Sequence, residues 1–295
     1  MATRALVLSG GGPVGIAWEA GLLAGLAENG VHLGQADYVV GTSAGSFVGA
    51  QIAMGRSPAK LMEAILAEAQ NTPARTSTAS GPAPDLQTLF KHMQEAMAGV
   101  RPRHEVRAQI GAYALQAHTM SEDAFITNFG QSFSGLAEDA WPERNYACTA
   151  VDAIDGSFMI WNKESRVGVT RAVASSCSVP GIFPPITING RRYIDGGMRS
   201  FANADLAKGY DVVVVVAVRG NTAQDPISAA FQRILEKELQ ELRDSGSQVE
   251  LIAPDAASVE AFGLNLMDFR RRPGSASAGF DQGRADSSRL RALWA

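Results

Sequence analysis

The sequence predicts an α/β fold with a largely parallel sheet, on three observations. Strand-like apolar stretches alternate with helical ones along most of the 295 residues. The run "VVVVVAV" (212–218) is aliphatic throughout, the pattern of a strand covered on both faces. Glycine-rich turns follow strands and open helices at 10–15 and 41–45, the strand-to-helix connection that such sheets use. A single domain over 1–295 is expected, with a core over about 4–205, a helical insertion or lid over about 72–135 and a strand-and-helix segment over about 206–295.

Taken in order, "ALVLS" (5–9) reads as the first buried strand and "GGGPVG" (10–15) as a tight loop. Ile16 to Asn29 reads as a helix stopping near Gly30. "DYVVG" (37–41) is a second strand, Ser46 to Met54 a helix, and 58–70 another helix with Pro58 at its start. Residues 71–84 are rich in Ser, Thr, Pro and Ala and read as a surface loop. Helices without a strand are expected between Asp85 and Gly135. Within them Leu86, Leu89, Phe90, Met93 and Met97 recur at near-helical spacing, which suits packing against the core or an acyl channel. Asp155-Gly156 between two apolar stretches (146–162) signals a hairpin. A helix around 168–176 follows, then short extended pieces about Asn189-Gly190, a central strand at 210–218, an amphipathic helix at 226–243 and a last strand at 248–254. The tail reads as helix interrupted at "RRRPGSASAG" (270–279).

Composition excludes several classes. With 46% apolar and 19% charged residues and a net charge of −4, the chain reads as globular, with no basic excess for nucleic acid. Cys148 and Cys177 have no second Cys or His at ligand spacing and read as interior thiols, and no metal is expected at them. The start "MATRALVLSGGG" lacks the features of a signal peptide, and the longest aliphatic run is too short to span a bilayer. A cytoplasmic address is expected, with any membrane contact peripheral. The basic clusters at 101–107 and 270–273 read as solvated faces.

"GTSAG" (41–45) fits G-x-S-x-G. A serine at a sharp strand-to-helix turn takes a strained backbone, and Gly41 and Gly45 must lack side chains for that turn to close. The hydroxyl then projects from the carboxyl edge of the sheet, where the following helix aims its free N–H groups. Ser43 is thus a candidate nucleophile, with a purely structural turn as the alternative.

Its activating base is not a histidine in the usual place. The four histidines, His32, His92, His104 and His118, all precede the second half of the sheet. A carboxylate remains: Asp195 in "YIDGGMRS" ends a short extended run, and Gly196 and Gly197 let the backbone turn away from it. Free aspartate, with a pKa of about 3.9, is a weak base, and burial would strengthen it.

"GGGPVG" also fits the dinucleotide fingerprint G-x-G-x-x-G, closing at Gly15. That reading needs an acidic residue at the tip of the second strand, and "VVGTSAG" has none. The other use of the loop is an oxyanion hole built from backbone N–H groups, to which Pro13 cannot contribute.

Together and in order, "SGGGPVG", "GTSAG", "ASSCSVPGIFPP" (174–185) and "DGG" resemble the patatin-like phospholipase family over about Ala5 to Asp205. The resemblance implies a three-layer α/β/α sandwich and hydrolysis of lipid acyl esters by a Ser–Asp dyad, which calls for no metal or organic cofactor. It places the nucleophile at Ser43, the base at Asp195 and the oxyanion donors at Gly10, Gly11 and Gly12. Two positions depart from the family's pattern. Val14 stands where a basic residue is usual, and Asn203 in "FANAD" lacks the proline that often follows it. The Val14 departure motivates an alternative, a non-catalytic lipid- or acyl-binding protein of the same fold; a nucleotide-binding protein is the third reading.

Overall fold

The computed structural model describes residues 2–71, 101–219 and 226–294. His92, the Leu86–Met97 apolar set and most of the 71–84 loop lie outside the described residues.

Among the described residues eight strands form one sheet: β1 (Arg4–Leu8), β2 (Tyr38–Gly41), β3 (Tyr146–Asp152), β4 (Phe158–Trp161), β5 (Ile186–Ile188), β6 (Arg191–Asp195), β7 (Val212–Val216) and β8 (Gln248–Ile252). The order is β5-β6-β3-β2-β1-β7-β8, with β4 also paired to β3. The run β3-β2-β1-β7-β8 is parallel, whereas β4, β5 and β6 join as antiparallel pairs.

Helices cover both faces of this mixed α/β sheet. The valines of β7 show why, because alternate side chains point to opposite sides. Val212, Val214 and Val216 pack into one cluster with Leu6, Leu8, Trp18 and Leu22; Val213 and Val215 pack into another with Leu235, Leu239 and Leu242. The first face carries α1 (Gly12–Glu28), α2 (Ala44–Ala53), α3 (Pro58–Asn71) and the C-terminal helix α9 (Arg272–Trp294); the second carries α7 (Pro226–Asp244). Helix α4 (Arg103–Gln116) belongs to a third cluster through Ile110 and Ala114, which meet Val151, Ile194 and Phe231. The remaining helices are α5 (Glu122–Gly130), α6 (Val169–Ser176) and α8 (Ala256–Phe262).

Two sequence expectations are corrected. Helix α1 starts at Gly12 rather than Ile16, with Pro13 in the first turn, where its missing N–H loses nothing. The tail is not interrupted: α9 runs unbroken from Arg272 through Gly274 and Gly279. The Gly/Ser/Ala run that reads as a breaker is instead a contact surface for α1. A Cβ on Gly279 would lie 2.4 Å from the Trp18 carbonyl oxygen and one on Gly283 2.3 Å from that of Leu22. From the other side, a Cβ on Gly25 would lie 2.1 Å from the Phe280 carbonyl oxygen. Two backbones this close leave no room for side chains between them. Gly25→Ala is therefore expected to destabilise the fold by about 3 kcal/mol or more, although alanine has the higher helix propensity. A urea midpoint equal to or above that of the parent would refute this.

Candidate active site

The register of β3 brings the sequence-predicted residues together. Cys148 pairs with Gly41 of β2 on one side and with Trp161 of β4 on the other. Ala150 pairs with Asp195 of β6 and, across from it, with Met159 of β4. Since β4 occupies one edge, β2 and β6 share the other. They run toward each other along it and stop two β3 residues apart, β2 at Gly41 and β6 at Asp195. The chain leaves β2 directly into Ser43, so the hydroxyl and the carboxylate meet where the two strands end.

Ser43 has φ 52° and ψ −117°, a left-handed backbone that a non-glycine residue adopts only under constraint. The constraints are visible. Its N–H donates to Ser176 Oγ at 3.0 Å. Its carbonyl accepts from Ser46 Oγ at 2.6 Å and from the Cys177 thiol at 3.1 Å. The flanking glycines fit by close approach: a Cβ on Gly41 would lie 2.3 Å from the Gly45 carbonyl oxygen, and one on Gly45 2.1 Å from that of Leu8. Helix α2 starts at Ala44, immediately after the turn.

Asp195 is 2% exposed. Burial raises its pKa from 3.8 to about 7, and hydrogen bonding from the Ser43 hydroxyl and the Gly197 N–H offsets part of that rise. The Gly197 N–H lies 2.7 Å from Oδ1. A carboxylate desolvated to this degree titrates where a general base is most effective.

The glycine loop passes beside the serine, since a Cβ on Gly10 would lie 3.4 Å from Ser43 Cβ. Gly10 itself is corrected as an oxyanion donor: its N–H is committed to the Phe201 carbonyl at 2.8 Å. The Val14 N–H donates to the Leu266 carbonyl and that of Gly15 to the Gly11 carbonyl. Gly11 and Gly12, at the N-terminus of α1, are left with N–H groups that donate to no acceptor among the described residues. Gly12 has φ 60°, and a Cβ there would also meet the Leu266 carbonyl oxygen at 2.8 Å. Val14 is fully buried in the core cluster, so the missing basic residue reflects packing of α1.

Sequence reasoning did not assign the supporting groups. Ser176 and Cys177 hold Ser43, and the Ser178 carbonyl accepts the Asp195 N–H at 3.0 Å, so the segment after α6 braces both partners. Its one legible signal was its place in "ASSCSVPGIFPP". His32, His104 and His118 are exposed, and none of them hydrogen-bonds Ser43 or Asp195. Among the described residues, no cluster of His, Cys, Asp and Glu is arranged to hold a metal ion.

Residues 6–208 match the family model described as patatin-like phospholipase, well over half of the chain. The chain belongs to the patatin-like phospholipase family. No curated protein matches it. Among solved structures, VipD from Legionella pneumophila is similar at 15% identity and a TM-score of 0.48, over 98% of this chain and 67% of that one. The type III effector ExoU is similar at 17% identity and a TM-score of 0.39, over 96% of this chain and 54% of that one. ExoU in its complex with SpcU, from Pseudomonas aeruginosa, matches at 16% identity and a TM-score of 0.37, over 96% and 52%. The patatin-like chain thus spans about two thirds of VipD and about half of ExoU.

Proposed function

We propose that this patatin-like chain is a serine hydrolase of lipid acyl esters working through a Ser43–Asp195 dyad. The reading rests on one observation: β2 and β6 end against each other on the same edge of β3, with the two side chains at their tips. Asp195 takes the Ser43 proton as Oγ attacks the ester carbonyl carbon. The carbonyl oxygen, now an oxyanion, receives the N–H groups of Gly11 and Gly12. Collapse of the tetrahedral species expels the alcohol, which takes the proton back from Asp195, and leaves an acyl-serine. Water, deprotonated by Asp195, attacks the acyl carbon, and collapse releases the fatty acid and the Ser43 oxygen, which takes the proton back from Asp195. No step calls on a histidine or a metal.

Among the described residues no helix is long and apolar enough to cross a membrane. The lipid ester is proposed to be met at a membrane surface, by peripheral contact.

The reading is tested by labelling with a fluorophosphonate probe, with the adduct mapped to Ser43, and by profiling turnover on a mixed lipid extract by mass spectrometry. Saturable lipid binding with neither adduct nor turnover would favour the non-catalytic alternative. The pH profile gives a further expected result. Only ionised Asp195 can accept the proton, and its pKa is about 7. On a soluble ester, kcat/KM should rise with pH through a single ionisation near 7, losing about tenfold per pH unit well below it. A profile flat from pH 5 to 8 would remove Asp195 as the base.

A further inference from the structure

We propose that Asn203 is a positioning residue that locks the serine turn and the acid turn into one register, in a segment that also holds the glycine loop; this rests on the dyad reading above. Asn203 is fully buried and lies in the segment that follows the acid turn. Its side-chain amide nitrogen lies 3.0 Å from Thr42 Oγ1, 2.7 Å from the Ser200 carbonyl, 3.4 Å from the Gly196 carbonyl and 3.5 Å from Thr149 Oγ1. Thr42 immediately precedes Ser43, and Gly196 immediately follows Asp195. One amide thus bridges the chain on either side of the dyad. Thr149 closes the bridge from β3, its hydroxyl 2.9 Å from that of Thr42.

The amide is itself fixed. Its Oδ1 accepts from Arg199 at 2.7 Å, and Arg199 also holds Asp205 through two hydrogen bonds of 2.8 and 2.6 Å. The backbone of Asn203 is left-handed, at φ 51° and ψ 42°, a conformation that asparagine tolerates better than most residues. Its N–H donates to Ser200 Oγ, and the next N–H, of Ala204, donates to Glu238 Oε2 on α7 at 3.0 Å.

The same short segment reaches the third loop. The Phe201 carbonyl takes the Gly10 N–H, the contact that withdraws Gly10 from the oxyanion hole. Residues 200–203 therefore touch every loop that the chemistry needs while contributing no reacting atom. Reacting groups displaced by about 1 Å can lose about a hundredfold in rate, so a residue that ties the serine turn to the acid turn has leverage on kcat.

The test separates positioning from mere stability. Asn203→Gly keeps the left-handed backbone accessible and deletes only the amide. Turnover of a soluble ester is measured per fluorophosphonate-titrated site, which discounts misfolded protein. The expected result is a kcat per titrated site about tenfold to a hundredfold lower with KM within about twofold of the parent. Thr42→Val, which removes one end of the bridge with little change of shape, is expected to lower kcat on its own. It should add little to Asn203→Gly, because both break one connection. Parent-like kcat per site in Asn203→Gly, or independent and multiplying losses in the double variant, would overturn the proposal. Failure of the unaltered chain to label at Ser43 would overturn the dyad reading instead, and with it this one.

Discussion

Replacing Ser43 with alanine is expected to abolish fluorophosphonate labelling and to lower ester turnover by at least about 10⁴-fold, since no neighbouring group can replace the attacking oxygen. Asp195→Asn should lower turnover to a similar degree for a different reason. The amide keeps the shape and can still accept from the Gly197 N–H, but it cannot take a proton. The two variants part company in stability. Asp195 is buried and its pKa is raised from 3.8 to about 7, so the folded chain holds a proton that the unfolded chain releases between those values. The carboxylate therefore weakens the fold progressively as pH rises from about 4 to 7, and the asparagine does not. Asp195→Asn is expected to be inactive yet more resistant to urea than its parent at pH 8, with the gap closing toward pH 4. Ser43→Ala should shift stability little beyond what loss of its hydrogen bond to Asp195 brings. Retention of most of the turnover in both variants would end the dyad mechanism.

From the residues alone that pair reads as two separate local signals, and only the resemblance to the family joins them. Gly41, Gly45, Gly196 and Gly197 mark turns because the chain must pass there without side chains, and turn chemistry is local. What brings Ser43 beside Asp195 is not local. It depends on β6 pairing antiparallel to β3 on the edge where β2 stops, a matter of register between strands far apart in sequence. The loss of Gly10 as a donor has the same origin. "GGGPVG" offers three equivalent glycines, and only the tertiary contact with the Phe201 carbonyl distinguishes the first. The run 270–279 reads as a break because propensity alone counts glycine as a breaker, whereas packing of α9 on α1 requires Gly279 and the helix runs on through Gly274. Core strands such as β7 and helices such as α7 were legible because one period of apolar residues determines each of them.

The last expected result concerns Glu19, which periodicity absorbs into α1 without comment. It is fully buried, and among the described residues neither carboxyl oxygen has a hydrogen bond of good geometry. Burial holds its pKa well above 4.5, and the nearby Ser9 backbone pulls it back only in part. The folded chain therefore holds the Glu19 proton to higher pH than the unfolded chain, which ionises it near 4.5. Folding then takes up a proton, and stability must fall as pH rises above that value, by about 1.4 kcal/mol per unit while the folded form stays protonated. Glu19→Met fills the same space without this penalty. It should be more stable than its parent already at pH 4, by about 1–3 kcal/mol for the unpartnered polar group. The margin should widen as pH rises above about 4.5 in urea unfolding. A margin independent of pH would mean that Glu19 is charged and compensated in the folded chain. The variant also asks why an acid stands there at all. Once ionised, Glu19 would raise the pKa of Cys177, the thiol that holds the Ser43 carbonyl. If Glu19→Met gains stability and loses turnover per titrated serine, the acid is retained for the site at the expense of the core, the trade expected where function and packing compete for one position. If it gains stability and keeps full turnover, the acid serves neither, and its burial is tolerated only because the surrounding core is stable enough to carry it.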